Sequence, residues 1–335
     1  MEQIMHNLPS EELTATEVSN IWSAYIKNSM EFRFFEYFYE ITEEQRIKDV
    51  VNKMLTHTQK NLKELQEIFC KENLSVPIGF TEEDSRLGAQ KVFSDTFILY
   101  FCHDLTMLSM NTYPSALSDS TRKDIRGFFQ KVLHFAIEIQ NEITVLMLSQ
   151  GTYLKPPQIA IDDKIEFAES IKYLNGFFGG SRPLNTPEIA NLARIIHRAQ
   201  FSKMVFVTFS KLAATKEMKQ HFSKGRDEIE QVLELLKKIL EKENIPISSS
   251  SDYKIFDVPI SPFSDKLMLY FVNTCLGMFC FTIISQALTS SLRTDIVTKL
   301  TKLTNDMKKY YGLGLLISIK ENWLEQPPQG VNRKV

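Results

Sequence analysis

Five ordered blocks of this sequence occur twice, about 171 positions apart, and that duplication restricts the fold more than any other feature. Leu13-Thr14-Ala15-Thr16-Glu17-Val18 lies over Leu184-Asn185-Thr186-Pro187-Glu188-Ile189, and each reads as a helix start with a capping residue ahead of an acidic first turn. Lys71-Glu72-Asn73-Leu74 lies over Lys242-Glu243-Asn244-Ile245. Phe93-Ser94-Asp95 with Leu99-Tyr100-Phe101 meets Phe263-Ser264-Asp265 with Leu269-Tyr270-Phe271, and Arg122-Lys123-Asp124-Ile125 meets Arg293-Thr294-Asp295-Ile296. The halves also close alike, at Tyr153-Leu154-Lys155-Pro156-Pro157-Gln158 and Trp323-Leu324-Glu325-Gln326-Pro327-Pro328-Gln329. A chain of 335 residues built this way is expected to form two equivalent units, each long enough to bury its own interior.

Within each half the periodicity is helical. In the first, apolar residues recur every three or four positions over about Thr16–Glu40 (Val18, Trp22, Tyr25, Phe32, Phe35), Glu43–Asn73 (Ile47, Val50, Met54, Leu65, Ile68), Ser85–Tyr113 (Phe93, Phe97, Phe101, Leu108) and Ser118–Gln150 (Ile125, Val132, Ile139, Leu146). Thr42 reads as the N-cap of the second helix, and Pro114 and Gly151 read as the ends of the third and fourth. The first and third links are short, forcing antiparallel neighbours. The second, Ser75 to Asp84 with Pro77 and Gly79, is long enough to travel the height of a bundle, and Pro246 to Pro262 repeats it. The expected fold is therefore all-α: two tandem ferritin-like four-helix bundles related by internal duplication. The expected boundaries are a tail at 1–12, bundle one at 13–155, a linker at 156–183, bundle two at 184–326 and a tail at 327–335. The linker is expected to contain one short amphipathic piece, Lys164 to Leu174.

Composition narrows the class. Only 12 Gly and 12 Pro, with 43% hydrophobic and 24% charged residues, suit a globular protein of long helices. A formal charge of -2 provides no footprint for a polyanion, so no nucleic-acid partner is expected. Cys70, Cys102, Cys275 and Cys280 include no C-x-x-C pair and read as buried thiols. Met1–Glu12 lacks the apolar core of a secretory signal, and a cytoplasmic location is expected. Leu267–Leu288 is uncharged over the length of a membrane span, but its counterpart Thr96–Leu117 has His103 and Asp104. A buried bundle helix, not a membrane segment, is the expectation.

Four stretches, Val76-Pro77-Ile78-Gly79-Phe80-Thr81, Arg182-Pro183-Leu184, Pro262-Phe263-Ser264-Asp265-Lys266-Leu267-Met268 and Trp323-Leu324-Glu325-Gln326-Pro327-Pro328, resemble a family from endospore-forming bacilli known as domain of unknown function 3231. The resemblance covers Leu13 to Gln329. It implies tandem ferritin-like bundles, an association with the spore, and other spore proteins as partners, some members carrying a spore-coat label. It implies no activity.

Ferritin-like metal sites use a Glu from each of two helices and a Glu-x-x-His from each of the other two, because i and i+3 point to one inward face. Neither half contains Glu-x-x-His. The first offers a looser set: Glu31 or Glu36, His57 and Glu64, Asp104 beside His103, and His134, Glu138 and Glu142. The metal candidates are Glu36, His57, Asp104 and Glu138, and iron or manganese would be the metals. At the second half's equivalents of His57, His103 and Asp104 stand Glu228, Asn273 and Thr274. The resemblance also implies a His where this chain has Asn61 and Val232, which weighs against carrying a site over. Gly176-x-x-Gly179-Gly180 lacks the preceding strand of a phosphate loop. The aromatic run Phe32, Phe34, Phe35, Tyr37, Phe38 and Tyr39 reads first as core packing and second as the wall of a ligand pocket. No catalytic set is assignable and no cofactor is expected. The leading reading is a non-catalytic structural or interaction protein, spore-associated by resemblance. The alternatives are a metal-binding oxidoreductase or metal store using the first bundle, and a small-molecule carrier.

Overall fold

The computed structural model describes residues 12–161, 164–177, 181–248 and 253–330. Residues 1–11 and 331–335 of the expected tails, and Gly179-Gly180 of the glycine cluster, lie outside the described residues. The first half contributes α1 (Ala15–Ile41), α2 (Gln45–Lys71), α3 (Asp95–Asp119) and α4 (Lys123–Ser149). The second contributes α5 (Thr186–Leu212), α6 (Lys216–Lys242), α7 (Asp265–Ser290) and α8 (Thr294–Lys320). Among the described residues there is no strand, so the fold is all-α, two tandem helical bundles. Cα packing divides the chain into two units, one comprising Met1–Gln90, Phe97–Ser149 and Leu324–Val335, the other Lys91–Thr96 and Gln150–Trp323.

Each bundle is closed by the same clasp. Thr14 caps α1 in a reciprocal box with Glu17, and Asn185 does the same for α5 with Glu188. Both glutamates are fully buried and reach across to the start of the fourth helix. Glu17 accepts from the amides of Thr121 (2.8 Å) and Arg122 (2.9 Å), Glu188 from those of Leu292 (3.0 Å) and Arg293 (2.9 Å). A carboxylate thus satisfies amides that a helix N-terminus leaves without intrahelical partners. Burial works against the Glu17 charge, but the amides of Arg122, Thr14 and Thr121 overcome it and hold the carboxyl down at about 2. Around the clasp Arg122 binds Glu72 and Asp124, and Arg293 binds Glu243 and Asp295. The second helix of each half ends on an asparagine in the left-handed region, Asn73 (φ 53) and Asn244 (φ 55). The cores correspond too: Phe38 packs on Phe101 at 5.1 Å, and Phe209 on Phe271 at 6.1 Å.

One element differs. The blocks at Phe93 and Phe263 are 170 apart, whereas those at Arg122 and Arg293 are 171 apart. The extra residue is absorbed in α7, whose turn Phe271–Leu276 is a π-helix, so that α7 has 26 residues where α3 has 25. A π-turn takes in one residue without breaking the helix, which leaves the flanking faces in register with those of α3. α7 is apolar and long enough to cross a membrane by length and composition, and 67% of its most apolar window is buried inside the fold.

Several boundaries differ from the sequence expectation. Thr42 closes α1, its hydroxyl donating to the Phe38 carbonyl (2.6 Å), and does not open α2. α3 starts at Asp95, not Ser85: the preceding stretch holds Gly88 at φ 76, and the Gln90 carbonyl accepts from the Tyr37 hydroxyl (2.7 Å). Pro114 lies inside α3, on a half-exposed face where the carbonyl it deprives of a donor can be solvated, between the buried Tyr113 and Ala116. α4 starts at Lys123 because the amides of Thr121 and Arg122 are committed to Glu17. Of the amphipathic piece expected at Lys164–Leu174, only the 3-10 turn Ile171–Leu174 is helical, and its apolar residues are exposed. Cys70 is exposed, whereas Cys102, Cys275 and Cys280 are buried.

Candidate functional site

From Ala24 to Glu31 every residue of α1 is buried, so the polar ones there must satisfy one another. The Lys27 ammonium binds the Glu31 carboxylate one turn on (2.5 Å) and donates to Ser109 (2.9 Å) and Tyr113 (3.4 Å) of α3. Asn28 donates to the Ala24 carbonyl (2.7 Å), and its own side-chain oxygen accepts from Asn61 of α2 (3.0 Å). These groups and Thr58, Thr106 and His57 line a cavity of about 30 Å³ at the centre of the first bundle. That is polar and roomy enough to hold water. Burial drives the Glu31 carboxyl up from its ordinary range, opposed by Lys27, and burial likewise raises Tyr113. Charges removed from water are costly unless paired, so the arrangement is a lock whose parts depend on one another, Lys27 most of all.

The second bundle repeats the cavity and inverts its chemistry. Arg198 of α5, at the position of Lys27, is 6% exposed and lines a cavity of about 20 Å³. Its guanidinium lies over the rings of Phe279 (4.4 Å) and Phe201 (5.5 Å). Where the first cavity has Asn28, Thr58, Asn61, Ser109 and Tyr113, the second has Ala199, Ile229, Val232, Cys280 and Ile284. The position of Glu31 is occupied by Ser202. Burial lowers the Arg198 pKa, opposed by Cys280, which also shares a side-chain hydrogen bond with it, by Tyr311 and by Cys275.

The sequence matches the family described as "Protein of unknown function (DUF3231)" twice, over residues 3–165 and 173–335. The chain belongs to the DUF3231 family. The two matches fall on the two bundles, so each half of this DUF3231 protein is one family unit. A crystal structure from Bacillus halodurans C-125, of a protein described as a "putative spore coat protein", is similar at 18% identity and a TM-score of 0.41, over 45% of this chain and 98% of that one. No curated protein matches the sequence.

The metal candidates of this DUF3231 chain are placed as follows. Glu36 pairs with Arg33 on its own helix (2.7 Å), and burial raises its pKa. His57 borders the polar cavity with its ring stacked on Phe135 at a centroid distance of 3.7 Å, and its Nε2 is buried without a hydrogen-bond partner. Burial, then Lys60, Lys27 and Lys131, lower its pKa to about 4, so it is neutral at ordinary pH. Asp104 is buried in α3. Glu138 faces out, its side chain 66% exposed beside His134 at 3.2 Å. Among the described residues no three His, Cys, Asp or Glu side chains come close enough to hold a metal ion. Sequence reasoning passed over Lys27, Ser109, Tyr113 and Arg198 as interior polar groups and read Cys280 only as a buried thiol. The i,i+4 spacing of Lys27 and Glu31 was the available signal, as was a basic residue at 198 amid buried apolar neighbours.

Proposed function

We propose that this protein is a non-catalytic structural or interaction protein, cytoplasmic and associated with the spore, with other spore proteins as its partners. The observation that carries the reading is the duplicated clasp. Both halves keep the capping box, the buried Glu17 or Glu188 and the arginine pairs beside it, all of which hold helices together. Between the halves, Asn28, Thr58, Asn61 and Tyr113 of the first cavity are exchanged for hydrocarbon. A frame kept in both copies while the interiors diverge fits a chain whose task is its shape. The family resemblance supports the spore setting, and the balanced charge supports proteins over nucleic acids as partners. The ferritin-like arrangement is supported by the long second connection of each half and by the pairing of α5 with both α6 and α7, and of α8 with α7.

The test is elemental analysis and oxygen uptake of the full-length protein expressed in medium supplemented with iron, manganese and zinc. The reading expects metal well below one equivalent per chain and no metal-dependent oxygen consumption. A full equivalent of iron or manganese, with oxygen uptake lost on chelation, would replace it with the oxidoreductase reading.

A further inference from the structure

The fourth helices of both halves carry apolar side chains into solvent at the same places. Val145 (67% exposed) and Leu148 (44%) on α4 correspond to Leu316 (62%) and Ile319 (53%) on α8. Exposed apolar residues scattered singly need no explanation, but these belong to stripes. Glu138, Asn141, Val145 and Leu148 are spaced by three, four and three residues, as are Lys309, Gly312, Leu316 and Ile319, and all of them are exposed. That is the spacing of a helix seam that packs on a second helix. Ile137 widens the first stripe, and Leu313 and Leu315 widen the second. The apolar ends of the stripes match, while their polar ends are opposite in charge: Glu138 stands on α4 where α8 has Lys309, next to the exposed Lys308. Glu138 has His134 beside it at 3.2 Å and Lys309 has Asp306 at 3.6 Å, both pairs in solvent.

We infer that these stripes bind a second copy of this chain, α4 of one copy lying parallel to α8 of another with Val145 on Leu316, Leu148 on Ile319 and Glu138 on Lys309. In a parallel helix pair, like positions of the seven-residue repeat face each other, which makes all three contacts at once. An antiparallel pair that kept the apolar contacts would carry Glu138 past Lys320, where α8 ends. Charge selects the pairing: α4 on α4 would oppose glutamate to glutamate and α8 on α8 lysine to lysine, whereas α4 on α8 opposes unlike charges. An anionic lipid surface would suit the lysines of α8 but repel Glu138 on α4. The partner that covers both stripes is the chain itself. Gly312 has open space where a Cβ would sit, leaving room for Asn141 of the other copy. The contact is heterologous, each chain offering one surface of each kind, so it closes on itself or extends according to the rotation it imposes. Self-association does not depend on the proposed role: a monomeric protein would leave the metal and oxygen assays as they stand.

The experiment is sedimentation velocity of the full-length protein from about 1 to about 300 µM, with phosphatidylglycerol vesicles as a separate probe. The wild type should pass from monomer to dimer or larger over that range and leave the vesicles unbound. Val145→Ser and Leu316→Ser should each weaken association about tenfold or more, the worth of one buried aliphatic side chain. Glu138→Lys and Lys309→Glu should each weaken it about fivefold, and the two changes in one chain should restore it. Mixing the two single variants should restore it as well, since each chain then finds an opposite charge on the other. All four positions are exposed, so the variants should fold as the wild type does, which circular dichroism establishes. A wild type that stays monomeric throughout, an effect of Leu316→Ser without one of Val145→Ser, or mixed variants that associate no better than either alone would overturn the inference. So would vesicle binding by a monomeric protein that Leu316→Ser abolishes, because α8 would then face a lipid surface.

Discussion

Lys27 and Arg198 occupy the same turn of the first helix in two bundles descended from one unit, yet their surroundings solve the problem of a buried cation in different ways. In the first, a glutamate one turn on, a serine, a tyrosine and two asparagines form a closed polar set. In the second, aromatic rings, a thiol and aliphatic side chains surround the guanidinium. The clasp at the bundle end is shared by both, the second adding Arg182 on Glu188. The contrast shows which parts of a duplicated fold are interchangeable: the joints that fix helix ends persist, whereas the interior is rewritten as long as its volume is filled.

The strongest way to break this comparison is to disarm the first lock. Glu31→Ala leaves the Lys27 ammonium buried without its counter-charge and is expected to cost about 3–5 kcal/mol, measured by urea denaturation. Adding Lys27→Met should recover most of that loss. Next come the clasps: Glu17→Ala and Glu188→Ala should each cost at least about 2–3 kcal/mol by leaving charge-assisted hydrogen bonds unmade, Glu188 the more because Arg182 also pairs with it, and a negligible loss at either would mean that the frame is not shared. Exchanging the interiors should have a smaller effect. Asn61→Val, which copies Val232 into the first bundle, strips the Asn28 oxygen of its donor and should cost about 1–2 kcal/mol. Smallest of all, deleting Thr274 removes the extra residue of the π-turn, leaves both flanks of α7 in register, and should change stability by less than about 1 kcal/mol.

Titration sharpens the same picture. His57 is held at about 4 against an ordinary 6.5, chiefly by burial, and so is His221. The unfolded chain therefore binds more protons than the folded one in that window, and stability should fall as pH drops from 6.5 to 4. Glu17, depressed from 4.5 to about 2, contributes stability that is complete above 4.5 and lost between there and 2. Melts of His57→Phe should show a shallower decline in the upper window, and those of Glu17→Gln in the lower.

Helix number, the duplication and the long second connections were legible in the sequence because they rest on apolar spacing and on repeated blocks. The ends were less so: a helix stops where another residue takes its amides, and that the Glu17 carboxylate would do this at Thr121 and Arg122, 104 and 105 positions away, leaves no local signal. The interior was the least legible. α1 is buried on every side from Ala24 to Glu31, so periodicity there does not separate core from surface, and Lys27 reads like any solvated lysine. Glu138 and His134 carry the right chemistry for a metal ligand but lie on the solvent face of α4.

Denaturation of Lys27→Met beside Arg198→Met tests the central claim most directly. Loss of Lys27 strands a buried glutamate and should cost about 3–5 kcal/mol, whereas Arg198→Met exchanges ring and thiol contacts for an apolar side chain and should cost less than about 2 kcal/mol. Equal losses in the two variants would contradict the account.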